Sequence, residues 1–81
     1  MKVTKVEGKC NICGKRFRKL RRERGLSQEN VAVKLQLEGL NMTQGTISKI
    51  ETGKRVIADY ELRYLAMVLD ISIYELLGIK G

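Results

Sequence analysis

The sequence predicts an all-α domain of five short helices. Apolar residues recur at helical spacing in separate stretches, glycines punctuate the gaps between them, and the chain has no proline. No segment alternates in the manner of a strand.

In the first helix Cys13, Phe17 and Leu20 share one face, and Lys and Arg fill the others through Arg24. Asn11 or a neighbour is placed to cap it, and Gly25 to end it. Ser27 caps the second helix, with Gln28 and Glu29 in its first turn and Val31, Ala32 and Leu35 facing inward. This helix is expected to reach about Glu38, stop at Gly39 and turn through Leu40 and Met42; a looser loop is the alternative. Thr43 caps a third helix that carries Ile47 and Ile50 inward and ends at Gly53. Asp59 is read as the cap of a fourth, with Leu62, Leu65, Ala66 and Leu69 as its stripe. Ser72 and Glu75 have capping-box spacing for a short fifth helix containing Leu76 and Leu77. Residues 1–10 show no sustained period and are read as a flexible basic arm, with the folded domain over residues 11–79.

An 81-residue chain is one domain, too small to enclose a deep substrate pocket, so a surface function is expected. Lys and Arg number 16 against 9 Asp and Glu, a net charge of +7. That surplus attracts polyanions, nucleic acid before an anionic membrane; the plainer reading is that it only aids solubility. No apolar run is long enough for a membrane span and no hydrophobic signal segment opens the chain. The expected location is therefore cytoplasmic, with reduced thiols.

The second and third helices, joined by a short turn around Gly39, have the form of a helix-turn-helix unit. The outer face of the third helix is polar and almost free of acid. Gln44 can hold an adenine edge with two hydrogen bonds. Thr46 and Ser48 can meet bases or phosphates, and Lys49 guanine or phosphate. Gly45 permits close approach, and the free N–H groups at the helix start suit a backbone phosphate. These features point to double-stranded DNA, against the plainer reading of a solvated polar face.

The stretch Leu20-Arg21, Gly25-Leu26-Ser27-Gln28-Glu29, Leu35 and Thr46-Ile47-Ser48-Lys49-Ile50-Glu51-Thr52-Gly53-Lys54-Arg55 resembles the Cro/phage-repressor family, also called xenobiotic-response-element regulators. The resemblance covers roughly Ile12 to Gly78. It implies a five-helix lambda-repressor-like domain. It also implies a transcriptional regulator, expected to be a repressor, that binds an inverted-repeat operator as a homodimer. By resemblance Gln28 binds a phosphate and braces Gln44, the first base reader. Gly45, Thr46, Ser48 and Lys49 occupy other groove-facing or groove-edge positions. Thr43 touches the backbone, and Lys54 and Arg55 clamp phosphates. Arg21 and Glu51 resemble a structural ion pair joining the first helix to the end of the third. The interval from Ser27 to Thr46 is longer than the family's common spacing, which bears on the docking angle of the reading helix.

Lys9-Cys10-Asn11-Ile12-Cys13-Gly14-Lys15-Arg16-Phe17 resembles the opening of a zinc finger. With no His and no third Cys the chain cannot supply four ligands, so no metal or other cofactor is expected. A site shared between two protomers and a regulatory disulfide are the minor alternatives to a core Cys13 and an incidental Cys10. Tyr60, Tyr64, Met67, Tyr74, Leu77 and Ile79 exceed what one inner stripe needs and are candidates for a dimer surface, or simply fill the core. The rival function is an antitoxin-like or complex-forming protein-interaction module on the same fold. A toxin-binding tail would mark it, and little room for one is expected after the fifth helix. An enzyme is disfavoured by the missing catalytic groups, and a membrane-surface binder by the inward apolar stripes.

Overall fold

The computed structural model describes residues 5–79. The helices are α1 (Gly14–Glu23), α2 (Gln28–Leu37), α3 (Gln44–Glu51), α4 (Asp59–Val68) and α5 (Ile73–Leu77). Among the described residues there is no strand, only an isolated antiparallel bridge between Val6 and Lys9. None of the described helices is long and apolar enough to cross a membrane.

The caps follow local chemistry, with two departures. At α1 the cap position is Cys13, whose side chain makes no cap bond, and the Gly14 N–H is met by Asn11 Oδ1 instead. The Ser27 hydroxyl accepts from the Asn30 N–H at 3.0 Å, and the Asn30 side chain accepts from the Ser27 N–H at 2.9 Å. Ser72 accepts from the Glu75 N–H at 3.0 Å, one half of the expected box. At α4 the expected cap Asp59 is the first helical residue. Ala58 occupies the cap position, and Glu61 reaches back to accept its N–H at 2.9 Å. A carboxylate three residues into the helix satisfies a donor that an alanine side chain cannot.

The long approach to α3 is helix and turn. α2 continues to Leu37 with Glu38 as its cap. Gly39 turns with φ +95, a left-handed conformation that glycine adopts without a Cβ clash. Its N–H donates to Gln36 O at 3.0 Å, and the Leu40 N–H to Leu35 O at 2.9 Å, closing the helix end. Met42 is buried, and Gln36 Nε2 donates to its carbonyl at 2.8 Å, so the turn is pinned from both sides.

Every helix contributes to one core. Phe17, Val31, Leu35, Ile47, Ile50, Leu65 and Leu76 are fully buried, with Cys13, Leu20, Ala32, Met42, Ala66 and Leu69 nearly so. Each large aliphatic or aromatic side chain among them contributes about 1.5–3 kcal/mol relative to exposure. Leu62 and Leu77 are half-buried against this cluster. α3 packs on both α1 and α2, α4 packs on α2, and α5 bridges α4 and α1. Burial pushes the Cys13 thiol up, which disfavours its thiolate.

The arm expected over residues 1–10 lies, for residues 1–4, outside the described residues. From Val6 to Lys9 the chain makes a turn, and the Cys10 N–H donates to Gly53 O at 2.8 Å.

Arg55 meets both oxygens of Glu61, at 2.9 and 3.0 Å, and ties the loop after α3 to α4. The Arg55 guanidinium, with help from the Ala58 N–H, holds the Glu61 carboxyl below the ordinary glutamate range, although burial acts the other way. A carboxyl whose pKa falls on folding adds stability above its unfolded pKa. That contribution is lost as the pH drops through the lower folded value. Glu61→Gln is therefore expected to be less stable than the wild type by about 2 kcal/mol at neutral pH. The gap should close below the ordinary glutamate range in denaturant titrations at stepped pH. A gap that does not change with pH would show that the ion pair contributes nothing.

Candidate nucleic-acid interface

α3 presents two faces because its apolar residues are only Ile47 and Ile50, three apart and fully buried. Thr43 starts the helix, its hydroxyl accepting from the Thr46 N–H at 3.2 Å. The outer face holds Gln44, Gly45 and Lys49 exposed and Ser48 half-buried. Thr46 is half-buried at the edge, its hydroxyl 3.1 Å from that of Thr43. A Cβ built on Gly45 would meet only the Thr43 hydroxyl, at 3.8 Å, so nothing inside the fold demands glycine there.

The end of α3 is held by a buried ion pair. Arg21 Nε and Nη2 donate to the two oxygens of Glu51 at 2.6 and 3.0 Å, and Nη1 donates to Leu26 O at 2.7 Å. The hydrogen bonds to Glu51 push the Arg21 pKa up, so the guanidinium stays charged despite its burial. The relative exposures are only 7% for Arg21 and 6% for Glu51, so neither partner has water to fall back on.

That pair orients the outer face through two amides. Gln28 Nε2 donates to Glu51 Oε1 at 3.0 Å, and Gln44 Nε2 donates to Gln28 Oε1 at 2.6 Å. A carboxylate only accepts, so Gln28 must turn its nitrogen inward and its oxygen toward α3. Gln44 must then turn its nitrogen toward Gln28. Gln44 is exposed, and its second N–H and its carbonyl oxygen have no partner among the described residues.

The N-terminal turn completes the end of α3. Asn11 Nδ2 donates to Ile50 O at 3.1 Å and Arg55 O at 2.9 Å, while its Oδ1 accepts the Gly14 N–H at 2.8 Å. Lys9 Nζ donates to Thr52 O at 3.3 Å, a cation on a helix C-terminus. Gly14 opens α1 directly on α3: a Cβ there would lie 2.0 Å from Ile50 O.

Beyond α3, Lys54 is exposed, and Arg55 is held on Glu61 with part of its guanidinium in solvent. Tyr60, Tyr64 and Met67 of α4 border a groove of about 550 Å³ with Glu38 and Arg63. Tyr60, Met67, Tyr74 and Ile79 are exposed, whereas Tyr64 and Leu77 pack partly on the core.

Sequence reasoning identified Arg21, Glu51, Gln28 and Gln44 by resemblance, and the structure joins them into one chain of hydrogen bonds. It read Asn11 as a cap but missed its bonds to α3 and to the loop after it. Gly14 stands in the sequence only as one glycine among those that punctuate the chain. The available signal was Asn11 three residues before a glycine that stops no helix. The Arg55–Glu61 pair was missed as well, since Arg55 was assigned to phosphate alone.

The sequence model of a helix-turn-helix domain matches residues 12–75, which contain α1 to α4 and the start of α5. No curated protein and no solved structure matches the chain.

Proposed function

The chain belongs to the helix-turn-helix domain family, and from that premise we propose that it is a sequence-specific regulator of transcription of the Cro/phage-repressor kind. It acts as a repressor, binding an inverted-repeat operator as a homodimer with α3 in the major groove. The observation that carries this reading is the exposed Gln44 amide, held through one N–H by Gln28. The free N–H of Gln44 beside its carbonyl oxygen is the donor–acceptor pair that matches adenine N7 and N6. The bonds through Gln28 to Glu51 hold that amide before DNA arrives, which lowers the entropy lost on binding.

Gly45, Thr46, Ser48 and Lys49 share the reading surface with Gln44. Phosphates are met by Gln28, Thr43, Lys54 and Arg55, the last pre-oriented by Glu61. Such contacts supply most of the affinity and set the register, while the base edges supply the choice of sequence. Tyr60, Tyr64, Met67, Tyr74, Leu77 and Ile79 are the surface from which the dimer contact is drawn. Two reading helices related by a two-fold axis imply half-sites about one helical turn apart.

Selection of bound duplexes from a random pool tests the proposal. The wild type should enrich an inverted repeat, and the Gln44→Ala, Lys49→Ala variant should lose preference at specific positions within each half-site. Enrichment of the same sequence by both proteins would remove α3 from the reading role. Absence of any enriched sequence would remove sequence-specific binding altogether.

Gly45→Ala separates function from fold at one position. Alanine in an exposed helical position should raise stability by about 0.5 kcal/mol, because glycine loses more backbone freedom on folding. Operator binding should fall at the same time, since the new methyl group stands on the face that approaches the bases. Retained affinity in a mobility-shift titration would mean that Gly45 lies away from the DNA.

A further inference from the structure

We infer that the cleft between α1 and α3 is a phosphodiester-binding subsite formed by Arg18, Arg22 and Ser48. The inference rests on the DNA-binding function proposed above and adds contacts to Gln28, Thr43, Lys54 and Arg55. The cleft measures about 290 Å³. It is lined by Arg18 and Arg22 of α1, by Ser48 of α3 and Thr52 just after it, and by Gln28, with the buried Arg21–Glu51 pair as its floor.

The structure sorts the arginines of this basic chain by what their guanidinium groups already do. Arg16 donates to Glu75 O, Arg21 to Glu51, Arg24 to Leu20 O and Arg55 to Glu61. Among the described residues Arg18, Arg22 and Arg63 make no such bond, and all three are exposed; only Arg18 and Arg22 line this cleft, while Arg63 borders the groove beside Tyr60 and Tyr64. Arg18 and Arg22 lie one helical turn apart on the same face, where like charges repel. An anion between them removes that repulsion, and two guanidinium groups match the two free oxygens of a phosphodiester. The floor does not oppose this, because the charge of Glu51 is already neutralised by Arg21.

The α3 side of the cleft offers one available hydroxyl. Thr52 Oγ1 donates to Ser48 O and Lys49 O, at 2.9 and 3.3 Å, and is committed to its own helix. The Ser48 side chain has no hydrogen-bond partner among the described residues and borders the cleft. Gln44, Ser48 and Thr52 follow one another at single turns along α3, so this row runs from the base-reading edge toward the two arginines. That is the order of parts across the wall of a DNA groove, with bases first and backbone next. Ser48, at the edge of the reading surface, thus serves the backbone, leaving Gln44, Gly45, Thr46 and Lys49 to the bases.

The test compares three full-length proteins on a random-sequence duplex over a salt series: the wild type, Arg18→Gln with Arg22→Gln, and Lys15→Gln with Lys19→Gln. Losing two phosphate contacts should lower the salt slope by about two, so that the wild type gives up about tenfold more affinity than the arginine variant between about 50 and 200 mM salt. The lysine variant loses the same charge from α1 and should keep nearly the wild-type slope. Equal slopes for the wild type and the arginine variant would overturn the subsite, and so would equal losses in both variants, which would mean diffuse charge alone. Ser48→Ala should weaken binding to all sequences without changing base preference; altered preference would return Ser48 to the bases. A wild type that fails to bind duplex DNA would instead overturn the proposed function itself.

Discussion

Glu51→Ala is expected to destabilise the domain by about 3–5 kcal/mol, because it leaves the Arg21 guanidinium buried without its carboxylate. Against the 5–15 kcal/mol typical of a whole domain, that is a large share. For a chain of this size it lowers the melting temperature by on the order of 20 °C. Loss of DNA binding in this variant would therefore report unfolding and not a lost contact. Arg21→Met combined with Glu51→Leu separates the two effects. Apolar replacement of both partners should restore most of the stability, since no charge is left stranded. Gln28 then has no carboxylate to orient it, and Gln44 is no longer held through Gln28. The double variant should fold yet bind its operator several-fold more weakly. Full recovery of both stability and affinity would show that the pair orients nothing on the outer face.

The second large effect is expected at Gly14. Gly14→Ala places a Cβ 2.0 Å from the carbonyl oxygen of Ile50 and 2.9 Å from Asn11 Oδ1. The first obstacle is backbone, so α1 must shift away from α3, at a cost near the upper end of overpacking, about 3 kcal/mol. The same substitution at Gly45 should stabilise, as argued above. Thermal melts of the two variants should therefore move in opposite directions from the wild type. If Gly14→Ala melts at or above the wild-type temperature, the close contact between α1 and α3 is not a feature of the folded protein. Its displacement would also disturb Asn11, and through it the carbonyls of Ile50 and Arg55.

The residues that settled legibly in the sequence are those whose role is local. Ser27, Thr43 and Ser72 cap the helices they precede, because a hydroxyl in that position reaches an N–H only three residues on. Phe17, Leu35, Ile47, Ile50 and Leu65 face inward, because helical spacing puts apolar side chains on one stripe. Asp59 misled for a related reason. Two acidic residues stand within three positions of Ala58, and spacing alone does not say which one turns back to the free N–H.

The functional face divides along the same line. The polar, acid-poor outer side of α3 follows from sequence spacing alone, as does the net positive charge that draws a polyanion. The orientation of Gln44 does not. It depends on Glu51, which lies two turns along α3, on Arg21 from α1, and on Gln28 from α2. Likewise, a string of similar arginines in α1 becomes distinct only when each guanidinium finds, or lacks, a neighbour from another element.

The sequence by itself determined the helices, their inward stripes and the helix-turn-helix order, because these rest on periodicity and on contacts within a few residues. Only the tertiary structure decided which polar groups point outward, which arginines are free, and that Gly14 lets α1 seat against α3. Those properties depend on groups far apart in the chain, brought together by one core, where each buried donor and charge must find its partner.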